Sequence, residues 1–228
     1  MSDGSEPRTT LDPTRKHILQ RRIRWVVAAT ISYNVIEAVI ALVAGAAASS
    51  TALIAFGLDS VIEVLSAAAV AWQFSARDPE SREKVALRII AFSFFALAAY
   101  VFVDVAVALL LGREAEHSSV GIVLAAVSLV IMPVLSWFER RTGRELGSVT
   151  AVADSKQTLL CAYLSGALLL GLLLNSLLGW FWADAAAALV IAAWAVKEGI
   201  EAWRGDACAV PLDALTGERE VDDHHHHE

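Results

Sequence analysis

Two groups of polar residues lie inside long apolar stretches of this sequence and have the side chains that bind metal ions. Asp59 and Glu63 are four residues apart, so a helix places both on one face, a turn apart. Further along, Asp154, Gln157 and Cys161 follow a second helical stripe. Carboxylate and thiolate donors suit a tetrahedral Zn²⁺ site, which an amide oxygen can complete weakly. The pattern predicts a metal site formed by Asp59, Glu63, Gln157 and Cys161.

Further polar residues lie in the same apolar stretches. A carboxylate at the centre of a membrane costs about 2.5–3.5 kcal/mol on insertion scales, so such acids persist where they pair, are hydrated or line a wet path. Of these residues, six are acids and one, Lys156, is a base; the acids are Glu37, Asp59, Glu63, Asp104, Asp154 and Asp184. This imbalance favours a cation pathway over hydrogen bonds between helices alone. Taken singly, Cys161 is more simply explained as a small buried apolar residue. The predicted pathway or surrounding residues are Asn34, Glu37, Asp104, Asp154 and Asp184.

The elements that must hold these residues are long apolar helices. The chain has 228 residues, of which 57% are hydrophobic, against about 45–50% in soluble domains. Its apolar blocks reach the length of about 20 residues that a helix needs to cross a bilayer. The pattern predicts an all-α membrane protein with six transmembrane helices. Their predicted bounds are about 25–48, 51–74, 87–111, 119–138, 147–174 and 178–203.

The loop charges predict the orientation of these helices. Twelve Lys and Arg residues lie in the N-terminal segment and in the second-to-third and fourth-to-fifth loops, whereas the alternate loops contain only Arg113. This asymmetry predicts cytosolic N and C termini. Two sets of three spans then have opposite orientations, as in a 3+3 inverted repeat. A short echo, Leu-Asp-Ser at 58–60 and Ala-Asp-Ser at 153–155, is weak support for that repeat.

The predicted organisation is a cytosolic N-terminal segment (1–22), a transmembrane domain (23–204) and a disordered cytosolic tail (205–228). The tail ends in a histidine cluster flanked by acids, which can capture Zn²⁺, Ni²⁺ or Cu²⁺ loosely. A cloning remnant is the alternative, although affinity tags usually carry more histidines. The residues predicted to capture metal in the tail are His224, His225, His226 and His227.

Other classes of function are disfavoured. The net charge is −7 and many of the acids lie in the two tails, while no basic stripe interleaved with aromatics indicates nucleic acid. No zinc-protease or nucleophile-elbow motif is present, so we expect no enzyme. Cys161 and Cys208 fall in different predicted compartments, which argues against a disulfide between them.

The motifs resemble those of a known family. Asn34-x-x-Glu37, followed by the run at 52–63 that ends in Asp59 and Glu63, resembles spans one and two of the cation diffusion facilitator (cation efflux) superfamily. The run at 153–161 resembles its span five, and 179–189 resembles the entry to its span six. The resemblance implies a homodimer that exports Zn²⁺, or Cd²⁺, Co²⁺, Fe²⁺ or Mn²⁺, from the cytosol in exchange for H⁺. It implies no required cofactor and a multi-pass location, which we expect to be the bacterial inner (plasma) membrane.

The chain departs from the family pattern in two respects. The family's span-two ligand pair falls on Asp59 and Glu63, but its usual span-five His and Asp fall here on Gln157 and Cys161. The missing His is the side chain most readily protonated near neutral pH. Moreover, the tail is too short for the family's usual C-terminal cytosolic domain, so we expect a short form. These departures keep open an alternative function, a metal-binding membrane protein that buffers or senses ions without transporting them.

Overall fold

The computed structural model describes residues 13–74, 80–146, 149–180 and 182–204, and these form six α-helices without a β-strand. The prediction of an all-α protein is confirmed. The helices are α1 (Pro13–Ala48), α2 (Thr51–Phe74), α3 (Glu80–Leu111), α4 (Ser119–Leu146), α5 (Val149–Leu178) and α6 (Trp182–Arg204).

Five of these helices contain a segment long and apolar enough to cross a membrane. α6 has 23 residues, a length of about 34 Å, but it carries Asp184, Lys197 and Glu198 within its span. Large apolar side chains cover the outside of the bundle, as a lipid-facing surface requires. The segments that meet the criterion are Arg24–Ala48, Thr51–Ala69, Lys84–Leu111, Ser119–Glu145 and Thr158–Leu178.

Several helices extend beyond the predicted spans. α1 begins at Pro13 rather than near 25, α3 begins at Glu80 rather than near 87, and α4 ends at Leu146 rather than near 138. The predicted bounds followed the apolar blocks, which end where charged residues begin. Backbone hydrogen bonds within a helix do not need apolar side chains, so the helices continue past those positions.

α2 lies at the centre of the bundle, where it packs against α1, α3, α5 and α6. The remaining packed pairs are α1–α4, α3–α6, α4–α5 and α5–α6. When the labels α1, α2 and α3 are exchanged with α4, α5 and α6, respectively, nearly the same set of packed helix pairs results. The inverted repeat itself stays a prediction, as does the cytosolic location of the termini.

Glycines allow α1 and α2 to approach closely. A Cβ atom added at Gly57 would lie 3.0 Å from the Cβ of Ala41, and one added at Gly45 would lie 2.8 Å from the Cγ1 of Ile54. Small residues at a helix interface permit such close backbone contact within a membrane. The approach places the polar residues of α1 within hydrogen-bonding reach of those on α2.

Asp184 of α6 holds the N-terminal end of α2. Ser50 caps this helix, because its Oγ accepts a hydrogen bond from the backbone N–H of Leu53 at 3.1 Å. The Ser50 hydroxyl donates to Asp184 Oδ1 at 2.5 Å, and the backbone N–H of Ala52 donates to Oδ2 at 3.3 Å. The carboxylate thus satisfies donors that the first turn of a helix leaves without partners.

Asp104 of α3 contacts the same end of α2. The hydroxyl of Thr51 donates to Asp104 Oδ2 at 2.5 Å, and Arg113 forms an ion pair with this oxygen at 2.6 Å. The hydrogen bond to Asp104 raises the pKa of Arg113 above its ordinary value. The charge of Asp104 is therefore balanced by a base from the loop that follows α3.

Replacing Asp184 with Ala should lower the free energy of unfolding in detergent by about 1–3 kcal/mol, because Ser50 and the first turn of α2 lose a buried acceptor. Chemical denaturation followed by circular dichroism measures this change. Glu201→Ala is the matched control on the same helix, since Glu201 pairs with Lys197 at the surface and such pairs contribute little. An Asp184→Ala variant as stable as Glu201→Ala contradicts the capping role.

Candidate metal site

Glu63 on α2 lies between donors from two other helices. The amide Nδ2 of Asn34 on α1 donates a hydrogen bond to Glu63 Oε2 at 2.6 Å. The thiol of Cys161 on α5 donates to the other oxygen, Oε1. Asn34 and Cys161 are both buried. The structure therefore brings two of the four predicted ligands, Glu63 and Cys161, into direct contact between α2 and α5.

Asp59 lies one turn from Glu63 toward the N-terminus of α2 and is 7% exposed. Within the described part of the chain, no residue donates a hydrogen bond to its carboxylate. The charges that act on it most strongly are those of Glu37 on α1 and Glu198 on α6. Asp59 is thus a buried acid in a negative environment, which favours the approach of a cation.

The predicted ligands are not assembled into a ready metal cluster. Among the described residues, no three His, Cys, Asp or Glu side chains come close enough together to hold an ion. The side chains of Asp154, Lys156 and Gln157 lie outside the described residues, although the α5 backbone passes through them. The predicted tail residues His224, His225, His226 and His227 also lie outside the described residues.

Glu37 is the centre of a hydrogen-bond network that joins three helices. It is 2% exposed, and it accepts hydrogen bonds from Ser60 on α2 at 2.8 Å and from Ser128 on α4. The hydroxyl of Tyr33 is hydrogen-bonded to Ser128 at 2.7 Å. Ser60 is the neighbour of Asp59 in the chain, so this network also fixes the position of the metal-site face of α2.

Glu139 on α4 is a buried acid that the sequence analysis did not include. It is 2% exposed and accepts hydrogen bonds from Thr158 on α5 at 2.9 Å and from Thr30 on α1 at 3.4 Å. The predicted fourth span ended at residue 138, so Glu139 was assigned to a charged loop. The signal was nevertheless present, because Ser128, Ser136 and Glu139 follow one helical stripe.

One face of α5 connects Glu139 with Glu63. Thr158, which contacts Glu139, and Cys161, which contacts Glu63, are three residues apart on this helix, a rise of about 4.5 Å. Ser165 continues the face and donates to the backbone oxygen of Cys161 at 2.7 Å. The half-buried carboxylate of Glu63 on α2 and the buried carboxylate of Glu139 on α4 therefore meet successive turns of a polar stripe on α5.

Asp104 and Asp184 lie away from this cluster. Both contact the N-terminal end of α2 near Thr51, twelve residues or about 18 Å of helix from Glu63. Their described partners are a base, hydroxyl groups and backbone N–H groups. The structure does not bring them to the candidate metal site, and their role in a pathway stays a prediction.

The family model for the cation efflux transmembrane domain matches residues 27–204, from within α1 to the end of α6. The chain belongs to the cation efflux family. The predicted resemblance to cation diffusion facilitators is confirmed, and membership makes the chain a multi-pass membrane protein of a family that transports divalent cations. Family members are transporters rather than enzymes. No curated protein matches the chain at a significant level.

The contact between Glu139 and Thr158 should be measurable as a coupling energy. In a double-mutant cycle of Glu139→Ala and Thr158→Val, we expect about 1–2 kcal/mol of coupling in the free energy of unfolding, because a buried charged acceptor is involved. The matched cycle on α4 uses Arg141→Ala and Glu145→Ala, a surface pair at 3.5 Å for which about 0.5 kcal/mol is expected. Equal coupling in both cycles contradicts a buried contact at Glu139.

Proposed function

We propose that this chain exports Zn²⁺ or a similar divalent cation (Cd²⁺, Co²⁺, Fe²⁺ or Mn²⁺) from the cytosol in exchange for H⁺. In this proposal all six helices span the membrane, both termini are cytosolic, and Asp59, Glu63, Gln157 and Cys161 bind the cation between α2 and α5. The observation that carries the proposal is the contact of Cys161 with Glu63, one turn from Asp59, in a chain of the cation efflux family.

The Cys161–Glu63 contact supports proton exchange. A thiolate binds metal ions whereas a thiol does not, so the proton that Cys161 shares with Glu63 must leave when a cation binds. When the site opens to the other side of the membrane, return of a proton to this pair releases the cation. The pair can therefore hold a proton or a metal ion but not both, which permits exchange without a histidine.

The surrounding charges support a divalent cation as the substrate. Two carboxylates and one thiolate provide more negative charge than a monovalent ion could balance in a buried site. The mixture of oxygen and sulfur donors suits Zn²⁺ and related metals better than Mg²⁺ or Ca²⁺, which prefer oxygen ligands alone. Glu37 and Glu198 add negative potential around Asp59.

Removal of both α2 carboxylates should abolish transport. In vesicles with an imposed pH gradient, acidic inside, the parent should accumulate Zn²⁺ in proportion to the gradient. The Asp59→Asn, Glu63→Gln double variant should lose at least the roughly 10- to 100-fold that even outer-shell partners of a metal typically contribute. Initial uptake rates measured with a fluorescent Zn²⁺ indicator inside the vesicles test this expectation.

Glu201→Gln is the control for that experiment, because it also removes one acid but from a surface ion pair. A double variant that transports as fast as Glu201→Gln shows that the proposed site is wrong. Saturable Zn²⁺ binding by the parent without uptake at any gradient favours the alternative function, a buffer or sensor of metal ions, over transport.

The proton on Cys161 should make metal binding depend on pH. Raising the pH removes the competing proton, so the Zn²⁺ affinity of the parent should rise by up to about tenfold per pH unit for each proton displaced. A serine hydroxyl keeps its proton, so Cys161→Ser should bind more weakly and with a smaller pH slope. Titrations against a competing chelator between pH 6 and 8, roughly the physiological range, give both quantities. Equal slopes in parent and Cys161→Ser contradict the exchange at this thiol.

A further inference from the structure

Asn34 has a buried oxygen with no partner among the described residues. Its side chain is 4% exposed, and its amide nitrogen donates to Glu63, but its Oδ1 accepts no hydrogen bond from the described residues. A carbonyl oxygen without a donor is unfavourable in an apolar interior, where no bulk water can replace the missing bond. Such an atom indicates an additional occupant, and an electron-rich oxygen suits a cation or a proton donor.

The second unpartnered polar atom of the described residues lies on the same side of the site. It is the Oγ of Ser66, three residues after Glu63 and therefore on the same face of α2. Asn34 thus contacts Glu63 from α1, and Ser66 follows Glu63 by one turn on the same face of α2. Other buried acids of the described chain, such as Glu37 and Asp184, have hydroxyl partners that are themselves satisfied.

We infer that Asn34 is a direct ligand of the transported cation and that α1 is the third helix that contributes a ligand to the metal site. This inference rests on the proposed function, and it assigns Asn34 to the coordination shell rather than to its surroundings. The amide oxygen joins Asp59, Glu63 and Cys161, so that three helices provide the oxygen and sulfur donors.

The geometry permits this role with little movement. Amide oxygen and nitrogen share one carbon atom, and exchanging them by rotation about the last side-chain bond places Oδ1 near the present Nδ2 position. That position is 2.6 Å from Glu63 Oε2. Two oxygens that bind one tetrahedral Zn²⁺ at about 2.0–2.2 Å lie roughly 3.4 Å from each other, so the pair has to separate by under about 1 Å to share an ion. The same rotation sets two acceptors against each other unless a cation lies between them, so it is favourable only when a cation is bound.

A purely structural role for Asn34 predicts a different arrangement. An asparagine that only joins helices in an apolar interior usually satisfies both ends of its amide, because each end left alone is unfavourable. Here the amide nitrogen donates to Glu63, and the amide oxygen has no partner among the described residues. The combination is that of a group which positions a carboxylate when the site is empty and binds the ion when it is loaded.

The experiment counts sulfur ligands on bound Cd²⁺. In a Cys208→Ser background, Cys161 is the one remaining thiol, and Cd²⁺ bound to it gives an ultraviolet thiolate-to-metal absorption band. Asn34→Cys should raise this band to about twice the parent value at saturation, because a second sulfur enters the shell. Val35→Cys is the matched control, since Val35 is the next residue on α1 and is exposed on the outer surface.

Asn34→Leu, which has a similar size but no oxygen, provides a second readout. It should keep the Cys161 band at saturation while its Cd²⁺ affinity falls by at least about tenfold. Asn34→Asp keeps an oxygen at this position and should retain an affinity near that of the parent. Size-exclusion profiles and thermal melting of each variant show whether it is folded. If Asn34→Leu is not folded, the Cd²⁺ affinity of Asn34→Asp is the second readout.

The outcomes separate this inference from the proposed function. A parent that shows the Cys161 band, together with Asn34→Cys no stronger than Val35→Cys, overturns the inference alone. An Asn34→Leu variant that binds Cd²⁺ as tightly as the parent also overturns the inference alone. A parent that binds no Cd²⁺ through Cys161 overturns the proposed site and this inference with it. A doubled band with reduced affinity in Asn34→Leu establishes Asn34 as a ligand.

Discussion

The bundle is organised by the need to satisfy carboxylates in an apolar interior. An unpaired acid within a membrane is expensive, so each one requires a donor nearby. In this chain the described donors usually come from a different helix than the acid. Glu37 of α1 is bound by α2 and α4, Glu139 of α4 by α5 and α1, and Asp184 of α6 by the start of α2. Groups that are costly singly therefore determine which helices pack together and in what register.

The acids nevertheless differ in how completely they are satisfied. At the N-terminal end of α2, Asp104 has a base and a hydroxyl, and Asp184 has a hydroxyl and a backbone N–H group. Near the middle of α2 the hydrogen-bonding groups are less completely satisfied. Asp59 has no hydrogen-bond donor among the described residues, and the contact at Glu63 leaves the Asn34 oxygen without a partner. Such incompletely satisfied groups suit the proposed cation site, because they gain a partner when an ion binds.

The contact between Cys161 and Glu63 gives chemical meaning to the departure from the usual family ligands. A thiol in place of a carboxylate brings its own proton into the empty site, whereas a carboxylate brings a charge. The consequence is a centre with less negative charge when no metal is present, which lowers the cost of burial. The face of α5 that carries Cys161 also carries Thr158, so Glu139 of α4 contacts the same polar stripe one turn away.

The sequence by itself determined the composition of the bundle. Apolar blocks are long because the bilayer is thick, so the approximate positions of the helices followed from local pattern. The placement of Asp59 and Glu63 on one face of α2 followed from their i, i+4 spacing, which is a property of any helix. The contact between Glu63 and Cys161 agrees with their prediction as ligands of one site. Only the tertiary structure decided which acids have partners, because partners such as Ser60 and Ser128 come from other helices and Arg113 comes from a loop. Glu139 was missed because hydropathy marks the end of an apolar block and not the end of a helix. The unpartnered oxygen of Asn34 depends on three-dimensional contacts alone, since no residue type or spacing records which end of an amide is left without a donor.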